Sequence, residues 1–163
     1  MTKALEAVLR ELHEGEVELE KELHVVADRH SVEHEVRHVA VDLARWSLQN
    51  REALEPILAR FGTSAETEPQ AGATTGQQLR ERTAELLGRR PEPGLLLMRD
   101  VRHLYLLASG NSVLWTVLGQ GAQATKDTEL LEVVTACHER TIRQTVWCNS
   151  MLKVLSPQLL AAV

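Results

Sequence analysis

Apolar residues recur every three to four positions in four long stretches of this chain, and a period held over such lengths is the mark of amphipathic helices. The first stretch, 2–28, places Leu5, Val8, Leu12, Gly15, Leu19, Leu23 and Val26 on one stripe. Gly15 costs a helix about 1 kcal/mol relative to alanine and marks a candidate break. The second, 31–61, carries Val32, Val36, Val39, Leu43, Trp46, Asn50, Leu54 and Ile57. Ser31 is its expected N-cap, Pro56 is expected to kink its last turns, and Gly62 to close it. No Gly or Pro separates the two stretches, so one helix of nearly sixty residues is the alternative to a hairpin. A domain of this size has no way to bury so long a rod, and the hairpin is the expectation.

The third stretch, 93–124, opens on Pro93, whose fixed φ suits a first helical position, and turns Leu97, Val101, Leu104, Ala108, Asn111, Trp115 and Leu118 inward. Asp127 is placed to cap the fourth, 127–155, with Leu130, Val134, Cys137, Thr141, Gln144, Cys148 and Leu155 inward and Ser156-Pro157 as its expected end. Between the second and third, over 62–92, periodicity lapses into Gly, Thr, Ala, Gln and Pro. The Thr75-Gly76-Gln77-Gln78 capping pattern there predicts a short helix over 77–87. Composition agrees with an all-α fold: 26 Leu stand against one Phe and one Tyr, a poor supply for strands. At 163 residues the chain is the length of one domain.

Charge narrows the partners. Residues 1–61 hold 8 basic and 13 acidic side chains, net −5, and the remainder balances at 10 of each. Neither half offers the basic stripe that displaces counterions from phosphates, so nucleic acid is not an expected ligand. Met1-Thr2-Lys3 leads straight into a charged amphipathic pattern without a signal-peptide core, and the expected compartment is the cytoplasm. Leu104 to Thr125 is a run of 22 residues with no formal charge, but Ser109, Gly110, Asn111, Ser112, Gln120 and Gln123 interrupt it. A buried central helix, not a membrane span, is the expectation. Cys137 and Cys148 lie three turns apart on one helix, roughly 16 Å by helical rise, too far for a disulfide. They are expected to be free thiols.

Hairpin, long connection, hairpin is the order of a ferritin-like bundle rather than an up-down-up-down one. The Leu12 to Leu54 stretch has Glu16 followed by Leu19, Leu23 and Val26, and then a second helix rich in His and Glu. It resembles the first helix pair of the ferritin-like superfamily, its small bacterial stress-related members most. That resemblance implies a four-helix bundle with one long crossover and a metal site built from carboxylates and Glu-x-x-His pairs. Glu16 matches the first-helix carboxylate, and Glu35-Val36-Arg37-His38 matches one Glu-x-x-His. The third helix has no Glu, and the fourth offers Glu129, Glu132, His138 and Glu139 without that spacing, which puts a standard di-iron site in doubt.

A departing ligand set is available. Asp100-Val101-Arg102-His103 is a second carboxylate-x-x-His, and under the crossover topology Glu22, Glu35, His38, Asp100 and His103 fall near one end of the bundle, with Cys148 at a similar height. With Glu16, these make a mixed oxygen and imidazole set suited to Fe, Mn, Zn or Ni. Helical angles temper it: Glu16, Glu22, Glu35 and Asp100 sit within about 70° of their apolar stripes, but His38 and His103 lie more than about 100° away. His24 and His34 point outward. The competing account is that Glu35 and Asp100, in early helical turns, stabilise helix dipoles. Asn50, Asn111 and Gln144 on apolar stripes require partners if buried, and a polar layer is expected there.

Two functional expectations follow: a ferritin-like protein binding a transition metal at a non-standard carboxylate and histidine site, or a metal-free bundle serving as a structural or protein-interaction module. A homodimer is expected in either case, since exposed faces of such bundles self-associate. The sequence assigns no catalytic residue and no small-molecule ligand.

Overall fold

A computed structural model describes residues 3–62 and 92–161, and these form four helices, with no strand among the described residues. They are α1 (Lys3–Arg29), α2 (His34–Ala59), α3 (Pro93–Thr125) and α4 (Thr128–Leu160). The expected short helix over 77–87 lies outside the described residues.

The hairpin expectation holds. α1 ends at Arg29, a turn follows in which the Glu33 N–H donates to His30 O (2.9 Å), and α2 begins at His34. The cap is a correction to the sequence reading: Glu33, not Ser31, is the N-cap residue, and its side chain makes no capping bond. Gly62 takes a left-handed φ of 69° just past α2, the conformation glycine adopts most cheaply. α3 ends on Lys126 in the same left-handed region, and Asp127 then caps α4, its Oδ1 accepting from the Leu130 N–H at 3.0 Å. The Arg60 guanidinium and that N–H hold the Asp127 carboxyl below its ordinary pKa.

Helix α4 does not stop at Ser156-Pro157, as the sequence suggested; Pro157 lies inside it and the helix runs to Leu160. Pro157 and Lys153, whose carbonyl loses its helical donor to the proline, are both exposed, at the edge of the bundle where such a carbonyl is tolerated most easily. A Cβ at Gly94, in the first turn of α3, would lie 2.5 Å from Leu159 Cδ2.

α1 packs on α2 and α3, and α4 packs on α3 and α2, which leaves α1/α4 and α2/α3 as diagonals. Long-range contacts give the directions. Arg29 at the end of α1 meets Asp100 near the start of α3, and Arg60 just past α2 meets Asp127 and Glu129 at the start of α4. All neighbouring helices are therefore antiparallel and α2 runs parallel to α3. Gly62 and Glu92 consequently sit at opposite ends of the bundle, about 39 Å apart along the 26 residues of α2.

Gly15 does not break α1. It lies directly against α3: a Cβ there would stand 2.2 Å from Asn111 Oδ1, an overlap that forces movement. Gly15→Ala is expected to destabilise the protein despite the ~1 kcal/mol that alanine gains in a helix. In an Asn111→Ala background the same substitution is expected to stabilise it. Urea denaturation of the four variants in a double-mutant cycle reads the change of sign.

Candidate functional site: a buried polar layer around Glu16

The bundle interior divides into two apolar clusters. One, toward the α1–α2 turn, contains Leu19, Leu23, Val36, Leu43, Val101 and Leu104. The other, toward the α3–α4 turn, contains Leu9, Leu12, Leu54, Ile57, Leu118 and Leu130. Between them lie the buried polar side chains Glu16, Ser47, Asn50, Asn111, Thr141 and Gln144. Each stands on its helix's apolar stripe, so helical periodicity carries it inward whatever its polarity.

Glu16 is the hub, with 0 % of its surface exposed. Its Oε1 accepts from Trp115 Nε1 at 3.0 Å, Asn50 Nδ2 at 3.2 Å and Thr141 Oγ1 at 3.4 Å, one donor from each of the other three helices. Burial raises its pKa; hydrogen bonds from Trp115, Asn50, Ser47 and Thr141 pull the other way without cancelling the effect. The group therefore favours the neutral acid more than an exposed glutamate does. Asn50 extends the network, its Oδ1 accepting from Arg140 Nη1 at 3.2 Å. One turn on, Gln144 Nε2 donates to Leu43 O and Ser47 Oγ, both at 2.9 Å. Glu16 Oε2, Gln144 Oε1 and Asn111 Nδ2 have no hydrogen-bond partner within the described chain.

The six ligands expected from the sequence are not brought together. Glu16 occupies the layer just described. Glu22 Oε2 and His103 Nε2 approach to 4.0 Å at the partly exposed α1/α3 edge. Asp100 is buried, but both its oxygens are engaged: they accept from Arg29 Nη1 at 2.9 Å each, and Oδ2 lies 2.7 Å from His30 Nε2. Glu35 and His38 are exposed at the start of α2, where only Val36 of the first turn is buried. Glu35, expected within about 70° of the apolar stripe, thus lies outside the interior, whereas the exposure of His38 agrees with its expected angle of more than about 100°. Among the described residues, no group of three or more His, Cys, Asp or Glu side chains is disposed to hold a metal ion. Cys137 and Cys148 are free and buried in opposite apolar clusters, where burial pushes their thiols up to about 11 and about 12.

Sequence reasoning missed two features. His30, assigned no role from the sequence, is buried against Asp100. The signal for it was a histidine directly after the last helical turn of α1, opposite an acid near the start of α3. The second is the four-residue interval between His34 and His38, whose rings stack with centroids 6.3 Å apart and planes 14° from parallel. Among the described residues no helix is long and apolar enough to cross a membrane, the 104–125 run included.

The raised pKa of Glu16 has a fixed sign in stability. The folded state holds its proton more tightly than the unfolded chain, so the contribution is full below the unfolded pKa near 4.5 and is lost as pH rises toward the folded value. His13 and His138, held below the ordinary imidazole pKa mainly by burial, act oppositely and lose their contribution as pH falls below about 6.5. Glu16→Gln, which keeps an acceptor on the three donors, is expected to remove the first dependence alone. The wild-type minus variant difference in unfolding free energy should therefore fall with rising pH, by at most ~1.4 kcal/mol per unit, in urea titrations from pH 4 upward. A flat difference would show that Glu16 titrates as an ordinary surface acid.

Comparison of the chain with models of known protein families, with characterised proteins and with solved structures finds no match, so the functional reading rests on these residues alone.

Proposed function

We propose that this chain is a helical-bundle interaction module of ferritin-like architecture that acts as a homodimer through the outward face of α3. The architecture is supported by the ring order α1–α2–α4–α3, the antiparallel neighbours and the parallel α2 and α3, which require a connection running the length of the bundle. The working surface is supported by one observation above others: α3 carries no charge from Leu104 to Thr125, yet its outer face is exposed. Leu106, Val113 and Val117 are 50 %, 62 % and 47 % exposed on that face, and Ile142 and Val146 of the neighbouring α4 are exposed as well.

Gly110 belongs to the same outward stripe. Among the described residues a Cβ there would meet nothing within 4 Å, so no packing contact among them calls for the glycine, although it costs the helix about 1 kcal/mol. A second helix approaching closely at Gly110 accounts for it. Charge selects a second copy as that partner: the acidic excess lies in residues 1–61, so two chains meeting through α3 and α4 keep their acidic hairpins apart. The paired faces of two helices over this run span about 600 Å², near the ~800 Å² that each side of a stable interface contributes.

The interaction reading is also supported by the use already made of the interior carboxylates, with Glu16 bound to three donors and Asp100 to Arg29 and His30. A transition-metal protein using Fe, Mn, Zn or Ni is the second reading, and the 4.0 Å approach of Glu22 and His103 is what favours it. Sedimentation at tens of micromolar is expected to give a dimer, with Val113→Glu weakening it about tenfold or more. Gly110→Ala is expected to raise the stability of the monomer while weakening the dimer. A wild-type chain that stays monomeric at that concentration refutes the homodimer. Stoichiometric metal in tag-free protein that disappears with His103→Ala would favour the second reading instead.

A further inference from the structure

His34 and His38 lie four residues apart in the first two turns of α2, so both project from one side of the helix, one above the other. Both are exposed, and their rings stack at 6.3 Å between centroids. Among the described residues neither ring has a hydrogen-bond or ion-pair partner, so either nitrogen of each is free to donate its lone pair. Exposed on one side of the helix at i and i+4, the two rings can turn to aim one nitrogen each at a shared ion, which imidazole binds at ~2.0–2.1 Å. Nothing has to be uncovered or broken for this, unlike at Asp100, where a metal would displace Arg29 and His30.

We propose that His34 and His38 form a surface site for one late divalent transition ion, held by two imidazoles with its remaining positions open to water or an external ligand. This site is independent of the α3 interface. Neutral nitrogen donors favour Cu²⁺ over Ni²⁺ and Zn²⁺ in the usual affinity order. The charged groups around it are Glu33, Glu35, Arg37, Asp42 and Arg45, all exposed, on an α1–α2 hairpin whose sequence is net negative. That field draws cations, and it offsets the unfavourable positive end of the α2 dipole beneath His34.

The run His34-Glu35-Val36-Arg37-His38 has the spacing with which zinc hydrolases hold their ion, using the glutamate as base and a third protein ligand from elsewhere. Here no third His, Cys, Asp or Glu joins the pair among the described residues. The arrangement therefore supports capture of an ion and not hydrolysis.

The test is titration of tag-free protein with CuCl2, and separately with ZnCl2 and NiCl2, read by equilibrium dialysis and, for copper, by electron paramagnetic resonance. One ion per chain is expected, with hyperfine structure from two nitrogens. His34→Ala and His38→Ala should each abolish that stoichiometric binding, while His103→Ala retains it. Because both histidines are exposed, the variants should melt at the wild-type temperature without metal and lose only the metal-induced rise in Tm. Binding that persists in the His34→Ala/His38→Ala double variant, or no stoichiometric binding of any of the three ions by the wild type, overturns the proposal.

Discussion

The interaction on which the rest depends is the burial of one carboxyl group midway along an apolar bundle. Glu16 without partners would cost several kcal/mol, far more than any single apolar contact returns. It is made tolerable by Trp115, Asn50 and Thr141, which come from three different helices and converge on one oxygen. A one-turn slip of any of those helices would carry its donor about 5 Å away and leave the acid unsatisfied. Leucine on leucine tolerates such slips, because apolar contact has no direction. The layer thus supplies the register that 26 leucines alone cannot, as a single buried polar residue does in a coiled coil.

Within the hairpins Ser112 Oγ lies 2.8 Å from His138 Nε2 and Arg51 3.6 Å from Glu20, but more of the directional contacts fall between the hairpins, on the α1/α3 and α2/α4 seams. The α1–α2 and α3–α4 pairs are joined by short turns, which set their alignment. How one hairpin sits on the other is left open by connectivity. Arg29, His30 and Asp100 tie α1 to α3 at one end of the bundle. Arg60 with Asp127 and Glu129 ties α2 to α4 at the other, and Gln144 reaches across to Leu43 and Ser47 between. Long-range polar bonds therefore concentrate where the chain does not already dictate the pairing. The close approach at Gly15 and Asn111 belongs to this arrangement too, since a side chain there would push α1 away from Trp115.

Much of this is legible in the sequence for a simple reason: a helix of period 3.6 carries every stripe residue inward, so Asn50, Asn111 and Gln144 announce a polar layer by position alone, while Glu16, read there as a metal ligand, is inward for the same reason. The hairpins, Pro93 at the start of α3 and the Asp127 cap are local signals of the same kind. What fails is local chemistry that tertiary packing overrides. Pro157 ends an isolated helix, but here Leu159 docks beside Gly94 and the turn persists. Glu35, placed by its angle near the stripe, is exposed in the first turn of α2, where among the described residues only Val36 is buried; His38 is exposed as its angle implies. Asp100 is inward as expected, yet its partners are Arg29 and His30, a pairing that depends on where two helix ends meet and that no spacing within one helix encodes.

These two fates of acidic residues bear on what the molecule can do. An interior carboxylate serves a metal only if its lone pairs are free or can be freed cheaply, and a buried ion pair is strongly destabilised when one member is withdrawn. Asp100 has a guanidinium and an imidazole to surrender; Glu16 has three donors on Oε1 and a raised affinity for its own proton, while Oε2 has no partner among the described residues. These bonds hold the bundle together, and the other feature that bears on function lies at the surface. There the uncharged outer face of α3 stands apart. A solvent-facing helix ordinarily separates a polar side from an apolar one, whereas α3 lacks charge all round for six turns and carries Gly110, whose Cβ would meet nothing within 4 Å among the described residues. That glycine and the exposed valines beside it are what support the proposed interface.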